Sequence, residues 1–552
     1  MDKKTVIAIV LSIAILFAWD YFVLKPQRLK NVKPQTTKEL PVKENPSPLI
    51  PESETVAQAS PVAPDTAQEE FIVTNTPLFE AKWSTKGARL ISMKLKKYNE
   101  FAQKPNPSIT ELVKRMFDKE ASKVKSSELV QAINTPMPGV FLTGGASDEN
   151  LIFNASKTGT ISIDKDAFAL SFDTRISDGI TLRKTFTIDP GTYFIGYKNT
   201  IINSSDKARS LGINVVQKVS YPVDGQLSKT TFNGPALLNG KHLEEFKLSK
   251  IKEPGQFRPF TGNIKWFGYE DTYFLNVIVP ITAPEASVNI SRLDNTYIAS
   301  SYSQQYEVQP GKTIEQDLGM YIGPKEYNSL KLYSKYGLNT ALSFGFFDIV
   351  AKPMLISMNW INRYVGSYGW TIIILTFIIK LILYPLSLKS FKSMKGLQKI
   401  QPLMKEIQEK YKDDRQRQNQ ELMKLYKDHK INPMGGCLPL LLQIPILFAL
   451  YRVFQSAIEL RQTPFHIVGT WLPDLSAPDP YLITPLLMGA SWFIQQKMTP
   501  TPGDAMQQKI MMFMPLIFTF MFLTFPSGLV IYWLISNILS IIQQVYINRV
   551  TE

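Results

Sequence analysis

From Ile510 to Asn548 the chain runs 39 residues without a charged side chain, broken only by Phe525-Pro526-Ser527-Gly528. At about 1.5 Å per residue that is too long for a single crossing of a roughly 30 Å hydrocarbon layer, and it reads as two helices joined by a tight turn. Further apolar segments accompany it. Val365 to Leu388 is apolar apart from Lys380, while Ile431 to Tyr451 and Pro480 to Gln496 carry no charge. Near the start, Thr5 to Leu24 carries only Asp20. A mean hydropathy of −0.06 over 552 residues hides this segregation. The total is six transmembrane helices, and an even number puts both termini on one side. The alternative for the first segment, a cleaved signal peptide, fits poorly, because bulky Trp19, Tyr21 and Phe22 stand where a cleavage site needs small residues.

Between the first segment and the others lies a different texture. Residues 25–70 hold eight prolines among Lys, Glu, Gln, Ser and Ala, too few large apolar residues to offset chain entropy, and so read as a disordered linker after the 1–24 anchor. From Phe71 short β-branched and aromatic runs alternate with turns, as in Ile180 to Ile188, Asp189-Pro190-Gly191, then Tyr193 to Ile202. These describe one β-rich domain over 71–343. Over 344–365, Phe347, Ala351, Met354, Leu355, Met358, Ile361 and Val365 recur at helical steps, predicting an amphipathic interfacial helix that Pro353 kinks or divides. Residues 366–552 then form the core of five transmembrane helices.

Loop charge sets the orientation. Lys389 to Pro433 holds twelve Lys and Arg against six acids, whereas Ala457 to Asp479 holds Arg461 against Glu459, Asp474 and Asp479. By the positive-inside rule 389–433 and both termini are cytoplasmic, and the β domain is outside. Met394, Leu397, Ile400, Met404, Ile407 and Tyr411, then Leu422, Leu425 and Tyr426, make the cytoplasmic loop a helical hairpin. Its Lys405, Lys410, Lys412, Arg415 and Arg417 suit a solvated linker, anionic lipid or ribosomal RNA, and charge count alone does not choose among them.

Catalytic signatures are absent. The sequence has no phosphate-binding loop, zinc-protease helix or nucleophile elbow, and its single cysteine, Cys437, with three scattered histidines leaves no metal or disulfide framework. No cofactor is expected, and neither an ATP-driven pump nor a metalloprotease. What remains is Lys380 within a span, where insertion scales charge about 2.5–3.5 kcal/mol near the bilayer centre. It either snorkels to the cytoplasmic surface or faces a wet cavity. Thr376 one turn before it, Gln443 in the next span, and Trp533, Ser536, Asn537 and Ser540 in the last favour a hydrophilic groove, although each alone suits helix packing. The segments from Pro480 and Ile510 are also short for a full crossing, which implies local thinning of the bilayer.

Several motifs in order carry a resemblance. They are Thr376-Phe377-Ile378-Ile379-Lys380 with Tyr384-Pro385-Leu386, Asn432-Pro433-Met434-Gly435-Gly436-Cys437-Leu438-Pro439 with Gln443-Ile444-Pro445, Asp474-Leu475-Ser476 with Asp479-Pro480-Tyr481, Met506-Gln507-Gln508-Lys509, and Phe525-Pro526-Ser527-Gly528-Leu529. Through them the chain resembles the YidC family of membrane-protein insertases, in the form found in double-membraned bacteria. The resemblance implies an external all-β supersandwich similar to sugar-mutarotase domains. It also implies five inner-membrane spans around a positively charged groove that receives nascent membrane proteins and releases them sideways, alone or with the Sec translocon. The family's groove charge is usually arginine; Lys380 keeps the charge without the planar fork. Gln443 matches a groove-lining position and Trp533 a substrate-contacting aromatic. Many relatives add a basic tail that docks ribosomes; here the chain stops at Glu552, so ribosome contact would rest on the cytoplasmic loops. Two other readings are a solute transporter binding an anion in the groove and an anchored external carbohydrate-binding or enzymatic module. The first lacks inverted repeats and the second lacks a specific signal in the β region.

Overall fold

The computed structural model describes residues 68–99, 129–133, 137–142, 148–177, 179–220, 232–247, 257–282, 286–293, 297–412, 414–429, 431, 438–466, 472–498 and 505–550. The expected anchor, nearly all of the linker and the segment from Asn432 to Cys437 lie outside them. Residues 61–500 and 512–552 form one compact unit; of the other, 1–60 and 501–511, residues 505–511 are described and are helical.

The β-rich part is built on a nine-stranded antiparallel sheet flanked by two five-stranded sheets. Its inner strands show why the sequence folds this way. In Ile180–Ile188 every second side chain is buried, so Ile180, Leu182, Phe186 and Ile188 face the core together with Lys184. Lys184 is tolerated there because its ammonium is fully paired: it donates to the carbonyls of Gly87 and Pro138 and ion-pairs with Asp148. A hairpin leads to Phe194–Asn203, its turn tied by the Gly191 N–H donating to Asp189 Oδ1 at 2.8 Å. Trp83 from one five-stranded sheet meets Phe186 of the central sheet at 4.6 Å, and Tyr302 from the other stacks on Phe267 at 5.9 Å.

After the last strand, Thr313–Pro324, the chain turns helical: α1 (Tyr327–Leu332), α2 (Asp348–Val365), α3 (Tyr368–Lys410), α4 (Arg415–Asp428), α5 (Leu438–Ser456), α6 (Ile483–Met498), α7 (Ala505–Phe522) and α8 (Ser527–Val550). Of the two expected effects of Pro353, division does not occur: α2 runs through it as one helix. The proline is the sixth helical residue, so only one bond, to the carbonyl four residues back, is forgone. Ala351, Leu355, Met358 and Ile361 are buried, while Ile349, Trp360 and Tyr364 are exposed, so α2 has apolar residues on both its inner and outer sides. Helix α3 is 43 residues long and runs without a break from the apolar segment into the basic segment after Leu388. There Leu397, Ile400 and Met404 pack against Leu422, Leu425, Tyr426 and Ile431, closing the α3–α4 hairpin. Among the described residues two helices, Tyr368–Lys410 and Ser527–Ile547, are long and apolar enough to cross a membrane, and Met511–Phe522 is a shorter apolar helix.

Candidate functional site

Helix α8 organises the helical region. Ser536 and Ser540 are four residues apart and therefore share a face, and each meets a different helix. Lys380 of α3 donates to Ser540 Oγ at 2.7 Å, and Gln443 of α5 donates to Ser536 Oγ at 3.1 Å. The Ser540 hydroxyl donates in turn to the Ser536 carbonyl at 2.9 Å, which leaves its lone pairs for the lysine. Lys380 and Gln443 are half-buried, while Ser536 and Ser540 are buried. Among the described residues no carboxylate pairs with Lys380.

The remaining predicted groove residues divide. Thr376 is buried and its hydroxyl donates to the Ile372 carbonyl of its own helix at 2.6 Å, so it does not join the lysine. Asn537 lies about 100° around α8 from Ser536 and meets α6, donating to Ser491 Oγ at 3.1 Å and to the Met488 carbonyl at 3.5 Å. Trp533 is buried on that side too, 5.6 Å from Trp492 and 5.3 Å from Phe522. Sequence reading missed two members of this seam. Ser491 is one, and the other is Gln544, which donates to the Met498 carbonyl at the end of α6 at 2.6 Å. The signal for Gln544 was present, since it stands four residues after Ser540 in a charge-free run.

Backbone contact tightens the bundle. A Cβ at Gly489 would meet Thr519 Oγ1 at 2.0 Å, so α6 and α7 touch where only glycine fits. At the β-domain end of α8 a Cβ at Gly528 would meet Phe454 at 2.5 Å, and the Gly528 N–H donates to the Leu475 carbonyl at 3.0 Å. The start of α8 is thereby held against Phe454 of α5 and Leu475. At the opposite end Lys405, Lys410, Lys412 and Arg417 are exposed on the hairpin, and the side chain of Arg415 lies outside the described residues. Lys410 and Arg417 flank the Tyr411 ring at 5.7 and 5.5 Å. Among the described residues no His, Cys, Asp and Glu group could hold a metal ion.

An apolar helical bundle bridged internally by lysine, glutamine and serine, and joined to a large β-rich domain, defines a membrane protein. The family model described as 60Kd inner membrane protein matches residues 360–552, and that of the YidC periplasmic domain matches 72–357. "Membrane protein insertase YidC" of Geotalea daltonii is 36% identical over 553 residues, covering 100% of this chain and 99% of the relative. That of Geobacter sp. (strain M21) is 39% identical, covering 87% and 86%. Among solved structures, an active YidC insertase with its first transmembrane domain resolved aligns at 18% identity and a TM-score of 0.34, covering 87% of this chain and 93% of that one. The chain belongs to the YidC family of membrane protein insertases. It is an inner membrane protein with a periplasmic β-rich domain and a helical C-terminal region, an insertase and not an enzyme.

Proposed function

We propose that this insertase receives nascent transmembrane segments at the Lys380–Ser540 and Gln443–Ser536 bridges and releases them laterally into lipid. The observation that carries this reading is a lysine within an apolar helix, bound to a serine hydroxyl and to no carboxylate among the described residues. Its positive charge attracts acidic or polar residues of the client's external segment. Apolar burial, about 25 cal/mol per Å², then drives the client helix sideways into lipid. At 16 and 18 residues, α6 and α7 reach only about 24 and 27 Å at helical rise, which shortens the dry path. Trp533, Ser536, Asn537, Ser540 and Thr376 line or support this groove.

In the same reading the chain has six spans, five of them in the core, with 1–24 as anchor, 25–70 as linker, 71–343 as a periplasmic supersandwich, 344–365 as interfacial helix and 366–552 as core. Both termini and the 389–433 hairpin are cytoplasmic, and the hairpin's basic residues face ribosomes, lipid or the Sec translocon. A photo-crosslinker at position 443 should capture a stalled client. One at Ile517, 60% exposed on α7, should capture mainly lipid. Equal client capture at both positions, or none at 443, overturns the groove.

A further inference from the structure

Away from the groove, one carboxylate is buried where three parts of the molecule meet. Glu459 lies on the short turn Ile458–Leu460 after α5. Its Oε1 accepts from the Tyr327 backbone N–H at 2.9 Å and from the Asn359 side-chain amide at 3.4 Å. Tyr327 opens α1 at the end of the β domain, and Asn359 is on the buried side of α2. Asn359 in turn accepts from the Tyr368 hydroxyl at 2.9 Å, where α3 begins. Glu459 Oε2 is buried with no hydrogen-bond partner. Two residues on, the Arg461 guanidinium covers the rings of Tyr273 and Phe274, at 5.3 and 5.4 Å, where the central sheet begins its strand Phe274–Pro280.

Burying a half-satisfied carboxylate is costly, and an apolar side chain would fill the same space without that cost. What the carboxylate adds is direction, because a single oxygen aligns two donors from separate elements. We propose that Glu459 is a positioning residue for insertion, seating α2 through Asn359 so that the β domain, the interfacial helix and the β-domain end of the groove hold one arrangement. It does not touch the client. Helix α2 packs on α3 and α5, the helices that carry Lys380 and Gln443, so a displaced α2 alters the groove frame. This rests on α2 lying in the membrane interface.

The test uses the full chain in lipid vesicles, on a Cys437→Ser background, with Trp360→Cys on the exposed side of α2 carrying an environment-sensitive fluorophore. Glu459→Ala should shift the probe's emission and lower client insertion about three- to tenfold at matched protein levels. Glu459→Gln, which keeps the accepting oxygen, should retain both. Asn359→Ala should reproduce the Glu459→Ala result, and the double variant should lose no more than either single one. Wild-type emission and insertion in Glu459→Ala overturn the inference. So does equal loss in the Gln and Ala variants with the probe unmoved, which marks a role in stability alone. If the wild-type probe reports bulk water, the interfacial reading of α2 fails and takes the inference with it.

Discussion

Lys380 and Ser540 meet at 2.7 Å although 160 residues separate them in sequence. Because the serine hydroxyl spends its own proton on the Ser536 carbonyl, the ammonium meets a lone pair and not a countercharge. One of its three donors is satisfied there, and the charge is not neutralised.

The charge, more than the side chain's shape, should therefore matter. Lys380→Arg should keep insertion, whereas Lys380→Ala or Lys380→Glu should slow clients with acidic external segments about tenfold, a loss of about 1.4 kcal/mol. Clients stripped of those acids should be nearly indifferent. Measuring one client with and without its acids at matched protein levels decides it, and equal insertion of the acidic client by the Ala variant and wild type sinks the mechanism.

Gly489 should tolerate no larger side chain. Gly489→Val should destabilise the bundle by about 1–3 kcal/mol, because the Thr519 side chain, whose hydroxyl is bound to the Pro515 carbonyl, occupies the space. The milder Gly489→Ala should be rescued partly by Thr519→Ala, which removes the nearest atom. Thermal unfolding in detergent reads both; independence of the two sites would contradict the close approach.

Cysteines introduced at the exposed positions Asn150 and Gln420, on the Cys437→Ser background, should show opposite accessibility. An impermeant thiol reagent should label position 150 in intact spheroplasts and reach position 420 only after lysis. Protection of position 150 would reverse the proposed orientation.

The Glu459 seat should be firmer in mild acid. Burial pushes this carboxyl up, the Tyr327 N–H and Asn359 amide pull it partly back, and Glu326 raises it further; Tyr98, Tyr321 and Tyr368 also face it. With the folded value above the unfolded one of about 4.3, its contribution is complete below that value and is lost as pH rises through the folded one. Hydrogen exchange of the α1 and α2 amides should quicken as pH is raised, beyond the intrinsic base dependence. Glu459→Gln should remove that excess. Asp271 and Asp474, also pushed up by burial, stay in both proteins, so an unchanged excess in the Gln variant would assign the effect to them.

Periodicity made much of this architecture legible. The alternation of Ile180 to Ile188 and the helical steps from Leu397 to Met404 each state which side is buried, and the structure buries those sides. The Ser536–Ser540 row was legible for the same reason, since four-residue spacing fixes a shared face. What escaped was long-range. That Thr376 turns to its own carbonyl while Asn537 reaches Ser491 depends on which neighbour packs where, and spacing within one helix carries no such information. Glu459 was counted only as a loop charge, because its partners Tyr327 and Asn359 lie 132 and 100 residues away.

Helix α3 joins the span to the hairpin with no loop between them. From Lys380 to Lys410 is 30 residues, about 45 Å at helical rise, along one unbroken rod. Two prolines, Pro385 and Pro402, stand between Lys380 and the hairpin end of that rod. Pro385, little more than one turn beyond Lys380, removes a ladder hydrogen bond and makes that spot the most compliant point near the charge. A displacement of the hairpin end of α3 therefore reaches Lys380 as a bend at Pro385 and not as a rigid rotation.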